Sequence, residues 1–136
     1  MDIAEREKRI LADIHYENGY SLYIGIPFCP TTCLYCSFTS NPICKWRDRV
    51  EEYIDCLIRE MRFTREAFDG KILDSVYIGG GKPTTLTAGQ LDRLLTALKE
   101  IFDFSTVQEF TVEAGRADSI TREKLEILKK HKVGRI

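Results

Sequence analysis

The chain has 136 residues, 43% of them apolar and 30% charged, which suits one ordinary globular domain with a core. Its 20 basic and 21 acidic residues leave a formal charge of −1, so no basic excess points to a nucleic-acid or acidic-membrane partner. No apolar run approaches the roughly 20 residues that span a bilayer. The N-terminal Met-Asp-Ile-Ala-Glu-Arg lacks the apolar segment of a secretory signal, so a cytoplasmic location is expected.

Asp2 to Glu17 is predicted to be a helix, with Ile3, Ile10, Leu11 and Ile14 on one stripe and Asn18-Gly19 as its stop. His15 within it reads as a surface residue. A strand is expected over Ser21–Ile26. It runs into Cys29-Pro-Thr-Thr-Cys33-Leu-Tyr-Cys36, on a loop extending to about Pro42. The cysteine spacing i, i+4, i+7 is also one face of a helix, so packing in a core is one reading. Pro27, Pro30 and Thr31-Thr32 favour a loop, because proline and β-branched residues resist an early helix. Three thiolates on one loop can bind three irons of a four-iron, four-sulfur (4Fe-4S) cluster and leave the fourth iron open. Zinc is the rival; it usually takes four ligands, often from paired arms, and only Cys44 lies nearby as a fourth.

Five cysteines are an odd number, so a disulfide framework is not expected and a reducing compartment fits. Cys44 reads as a plain loop residue. Cys56 falls in an apolar helical pattern and reads as a small core residue. That pattern is Trp46, Val50, Tyr53, Ile54, Leu57, Ile58 and Met61, a helix ending near Phe68-Asp69-Gly70, with Trp46 and Tyr53 taken as core.

The second strand is expected over Ser75–Ile78, with Gly79-Gly80-Gly81 at its end. Glycines let backbone approach a ligand closely and let successive N–H groups face an anion. Thr87-Ala-Gly-Gln90 is a capping box opening a helix with the stripe Leu91, Leu94, Leu95, Leu98, Ile101 and Phe102. The third strand is expected over Glu109–Ala114. Glu113 within it is a carboxylate in a strand read as buried, which is costly without a partner. It reads either as a core ion pair or as a ligand-binding group, with Arg116 as a candidate partner or as a group reaching a substrate carboxylate. A helix starting near Ser119–Thr121 carries Leu125 and Leu128. Its basic end, Lys129 to Lys132, suits the helix dipole. Val133–Ile136 begins a fourth strand.

The order is a helix, then βα three times, then the start of a strand. It gives the fold class α/β, with a parallel sheet and right-handed crossovers. In a parallel barrel the chemistry sits at the carboxyl ends of strands. The cysteines, the glycines and Glu113 each fall at such an end.

The spacing Cys-x-x-x-Cys-x-x-Cys, with Tyr35 before the third cysteine, resembles the radical S-adenosylmethionine superfamily. Tyr23-Ile-Gly-Ile-Pro-Phe-Cys-Pro30 and Tyr77-Ile-Gly-Gly-Gly-Lys-Pro-Thr-Thr-Leu86 resemble its oxygen-independent coproporphyrinogen III dehydrogenase branch, which includes haem chaperones. Thr111-Val-Glu-Ala-Gly-Arg116 with Asp118-Ser-Ile-Thr121 is similar to the clostridial and bacillar subgroup. The resemblance implies a 4Fe-4S cluster on Cys29, Cys33 and Cys36. It implies S-adenosyl-L-methionine contacts at Tyr23, Tyr35, Gly80, Gly81 and Glu113, and assigns no catalytic residue. Lys82 stands where the family usually has threonine; it would pair with the cofactor carboxylate or crowd the pocket.

The implied reaction is reductive cleavage of S-adenosylmethionine to a 5′-deoxyadenosyl radical, which takes hydrogen from a propionate of coproporphyrinogen III. The propionate then loses CO2 to become vinyl, a step of haem biosynthesis. A flavodoxin or ferredoxin is the implied electron donor. The alternatives are a haem chaperone of the same family without decarboxylase activity, or a zinc-stabilised interaction domain. The implied architecture is the first part, about half, of a partial TIM-type (β/α)6 barrel. Residues 1–18 would be an N-terminal helix and 19–136 the N-terminal portion of the radical core, cut at its C-terminal end. A chain so cut would be inactive alone and prone to self-associate.

Overall fold

The computed structural model describes residues 3–12, 15, 17–37 and 41–136, with side chains at all of these except 6, 7 and 10. Helix α1 (Ile3–Ala12) precedes strand β1 (Gly19–Ile26). Two short strands, β2 (Phe28–Cys29) and β3 (Asn41–Pro42), pair in parallel at the base of the cysteine loop. Helix α2 (Ile43–Trp46) and a 3-10 turn at Arg47–Arg49 lead into α3 (Val50–Ala67). Then come β4 (Ile72–Gly80), α4 (Ala88–Ile101), β5 (Glu109–Val112) and α5 (Arg122–Lys130).

The main sheet is β1-β4-β5, parallel throughout, so each strand steps sideways to the next through a helix. Arg135 continues the sheet as a parallel bridge to Thr111, with Val112 N donating to Arg135 O at 3.0 Å. The expected α/β order and the start of a fourth strand are both present.

Side chains alternate across a strand, and here the two faces differ in chemistry. Ile24, Ile26, Val76, Ile78, Phe110 and Val112 are buried with Ile54, Leu57, Met61, Leu91, Leu94, Leu95, Leu98 and Leu128 of the helices. The apolar stripes of α3, α4 and α5 therefore define one side of the sheet. The other side is polar and open. The strand register sets Ser21, Ser75 and Glu109 in one row and Tyr23, Tyr77 and Thr111 in the next. A third row, at the carboxyl end, begins with Gly25 and Gly79. Leu94 is fully buried in the apolar layer. Leu94→Ala should lower unfolding free energy by about 3 kcal/mol through lost burial and the cavity left behind. Urea titration will read this, and a loss below about 1 kcal/mol would show that the layer closes over the gap.

Some expectations need correction. α1 is described over Ile3–Ala12 and does not reach Glu17, since His15 and Glu17 are not helical, and Ile3 and Leu11 are 74% and 45% exposed, so the predicted stripe is not buried at these two positions. Ile14 and the side chain of Ile10 lie outside the described residues. His15 is exposed, but its Nδ1 lies 2.8 Å from the carboxylate of buried Asp74. Cys44 lies in α2 rather than a loop, and is exposed. Cys56 is not a core residue. The buried positions of α3 are Val50, Ile54, Leu57 and Met61, and one residue before Leu57 the side chain turns about 100° away, into solvent beside Arg59. Trp46 is 43% exposed because α2 ends there and the 3-10 turn breaks the helical register with α3. Leu125 is 39% exposed, at the rim of a shallow hollow shared with Leu128 and Val133. No helix among the described residues is long and apolar enough to cross a membrane.

Candidate functional site

β1 ends at Ile26, and Pro27 turns the chain into β2, which buries Cys29. Asn41 closes the loop base by donating from its N and its Nδ2 to Pro27 O, at 3.1 and 3.2 Å. Cys33 and Cys36 sit half-buried on the loop, where Cys36 N donates to Cys33 O at 3.1 Å. None of the three is in a disulfide. Burial, and then the neighbouring Cys36, push the Cys29 thiol up, while Lys82 pulls it down.

β4 ends against the start of that loop. Gly80 has φ +108°, and a Cβ there would stand 2.9 Å from both the N and the O of Ile26. A Cβ on Gly81 would stand 2.8 Å from Phe28 O and 2.9 Å from Cys29 Sγ. Only residues without side chains let these two strand ends meet so closely. The Gly81 N–H donates to Ile26 O at 2.7 Å, so it is spent inside the protein and is not offered to an anion. Beyond it, Lys82 reaches across to the β5 side, its Nζ lying 2.8 Å from where a Gly115 side chain would begin.

β5 ends at Val112, one residue short of Glu113. Glu113 is therefore not in a buried strand. It is half-buried at the strand end, with its N donating to Ile78 O at 2.9 Å. Its partner is not Arg116. Tyr77 OH donates to Glu113 Oε1 at 2.5 Å, and this bond raises the pKa of the phenol. Tyr77 in turn stacks on Tyr23, with ring centroids 5.9 Å apart and planes at 13°. Arg116 turns the other way. It pairs with Asp118, and its Nη1 donates to Thr31 Oγ1 at 2.8 Å and approaches Cys33 Sγ at 3.6 Å.

One cavity of about 1000 Å³ collects all nine residues singled out from the sequence: Tyr23, Tyr35, Gly80, Gly81, Lys82, Glu113, Cys29, Cys33 and Cys36. Tyr35 is 90% exposed and so stands at the mouth rather than in the wall. Tyr77 and Arg116 line the same cavity. The pairing of Tyr77 with Tyr23 across β1 and β4 was invisible without the register. The one available signal was its place two residues before the first glycine. Among the described residues, no three His, Cys, Asp or Glu side chains are gathered into a ready metal-binding set. The three thiols share a wall, but Cys29 is held by β2 while Arg116 engages Cys33.

No family model matches the chain. It is 39% identical over 140 residues to the oxygen-independent coproporphyrinogen-III oxidase-like protein HemZ of Bacillus subtilis, covering 99% of this chain and 28% of that protein. It is 40% identical over 116 residues to the heme chaperone HemW of Lactococcus lactis, covering 85% of this chain and 29% of that one. Among solved structures, the coproporphyrinogen III oxidase HemN of Escherichia coli, described as a radical SAM enzyme, superposes with a TM-score of 0.73. That match has 27% identity and covers 93% of this chain and 29% of the other. The chain thus spans under a third of the length of these three relatives. Parallel βα units, cysteines at the first strand end and this level of identity place the chain in the radical S-adenosylmethionine superfamily, in the branch of the oxygen-independent coproporphyrinogen III oxidases.

Proposed function

We propose that the cavity at the strand ends binds S-adenosylmethionine beside a 4Fe-4S cluster held by Cys29, Cys33 and Cys36. The observation that carries this is the convergence of all nine sequence-derived residues on one cavity. The donor chemistry fits, since three cysteine sulfurs on one wall, none of them in a disulfide, are the soft ligands that iron–sulfur clusters select. When bound, the cluster supplies one electron to cleave the carbon–sulfur bond of S-adenosylmethionine.

The chain's own residues position the cofactor. Tyr77 occupies Oε1 of Glu113 and so orients the carboxylate, leaving Oε2 to accept from a ribose hydroxyl or an amino group. Gly80 and Gly81 hold β4 against the cysteine loop, and the Lys82 ammonium offers the positive charge that a cofactor carboxylate needs. The polar rows of the open sheet face become the inner wall of a partial (β/α)6 barrel, with the helices outside.

The proposed reaction is oxygen-independent oxidative decarboxylation of coproporphyrinogen III in the cytoplasm, fed by a flavodoxin or ferredoxin. The names of the oxidase relatives support it. The likeness to the heme chaperone HemW over 85% of the chain favours a second reading, haem delivery on the same framework. Haem binding without cleavage of S-adenosylmethionine would select the chaperone.

Glu113→Ala should weaken S-adenosylmethionine binding roughly 10- to 100-fold, the loss of a charge-assisted hydrogen bond. Iron content after anaerobic reconstitution should be unchanged. Calorimetry on the reconstituted protein measures both arms, and unchanged affinity would remove Glu113 from the site.

A further inference from the structure

Helices α4 and α5 open with the same cap but different third residues. At α4, Gln90 N donates to Thr87 Oγ1 at 3.2 Å and Thr87 N donates back to Gln90 Oε1 at 3.0 Å. At α5, Lys124 N donates to Thr121 Oγ1 at 3.3 Å, but a lysine stands where the glutamine stood. Lysine returns no bond to the cap. Its charge is also opposed by the positive end of the helix dipole. Burial further pulls the Lys124 ammonium below the ordinary lysine range. The position is poor for stability on all three counts.

The ammonium goes elsewhere. Lys124 Nζ donates to Thr84 O at 2.6 Å and to Ser119 O at 3.0 Å. Thr84 lies in the 3-10 turn after β4, and Ser119 in the 3-10 turn after β5. The hydroxyls of the same two residues share a bond of 2.6 Å, with Thr84 1% and Ser119 5% exposed. Ser119 Oγ donates to Arg116 O at 2.9 Å, which leaves Thr84 Oγ1 as the donor to Ser119. On the other side, Thr85 N donates to Lys82 O at 2.9 Å. One set of bonds, buried at the Thr84–Ser119 hydroxyl pair and part-buried around it, thus runs from the backbone of Lys82 to that of Arg116.

We propose that Lys124 is a positioning residue that staples the two strand-end turns together, and so sets the spacing between the Lys82 and Arg116 walls of the cavity. The effect on cofactor binding rests on the reading of that cavity given above; the staple itself does not. Lys124→Met keeps the stem and removes the ammonium, and Lys124→Gln is the polar counterpart.

Hydrogen exchange on the whole chain reads the staple directly. In both variants the amides of Thr85, Leu86, Ser119 and Ile120 should exchange roughly 10-fold faster, the scale of one lost charge-assisted bond. The amides of β1 and α4 should hold their wild-type rates, and Lys124→Arg should restore part of the protection in the turns. In calorimetry on reconstituted protein, S-adenosylmethionine should bind roughly 10-fold more weakly to Lys124→Met at unchanged iron content. Faster exchange confined to α5, faster exchange throughout the chain, or unaltered exchange in the turns would each overturn the staple. Loosened turns with unchanged cofactor affinity would overturn its role in setting the cavity. Loosened turns in a protein whose wild type binds no S-adenosylmethionine would uphold the staple and refute the cofactor reading instead.

Discussion

Replacing any one of Cys29, Cys33 or Cys36 by serine should abolish the charge-transfer absorbance of the anaerobically reconstituted protein, while Cys44→Ser and Cys56→Ser leave it intact. The difference lies in placement. The first three thiols line the cavity at the carboxyl end of β1, whereas Cys44 and Cys56 are exposed on α2 and α3. A serine oxygen is a hard ligand and a poor substitute for a thiolate on iron. With three protein ligands to share, loss of one leaves two, too few to hold the cluster with one iron open. Iron and acid-labile sulfide should fall together in the three variants. Equal loss in all five variants would mean that iron is bound adventitiously. Stoichiometric zinc with no sulfide would replace the cluster by a structural zinc site. Because the thiols are not gathered into a closed set, cluster assembly should also order the loop between Pro30 and Ser37, visible as slower exchange of the Cys33 and Cys36 amides on loading.

The legible parts of this fold are those written in local pattern. The Leu91, Leu94, Leu95, Leu98 stripe and its Thr87–Gln90 box give α4 with the cap as expected. The cysteine spacing and the triple glycine fall where strands end. What failed depends on which neighbour covers a face. Cys56 and Trp46 sit in a convincing apolar repeat, yet both are exposed, because the repeat gives a direction and says nothing of how far the cover extends. Glu113 was recognisable as an unusual carboxylate. Its partner Tyr77 was not, since the pair is set by the register of β4 against β5, with Tyr77 opposite Thr111. Lys124 looks in sequence like any helix lysine. Only the two carbonyls beneath it show why a cation sits at the wrong end of a helix.

Gly80→Val should cost roughly 3–5 kcal/mol of unfolding free energy, the sum of left-handed strain and overpacking. Two causes act at once. Gly80 has φ +108°, a conformation that a β-branched residue rarely adopts. Its Cβ would also meet the backbone N and O of Ile26, which cannot swing aside as a side-chain tip would. Gly70 separates the two effects. It has φ +74°, but a Cβ there would meet nothing within 4 Å, so Gly70→Val carries the strain without the clash. Its cost should be only about 1–2 kcal/mol. Against a typical domain stability of roughly 5–15 kcal/mol, the Gly80 variant should fold marginally and the Gly70 variant well. Urea titration of both, with the slope checked for a common two-state transition, gives the difference. If the two substitutions cost the same, the meeting of β4 with the cysteine loop adds no constraint at Gly80, and the glycine is there for its φ alone.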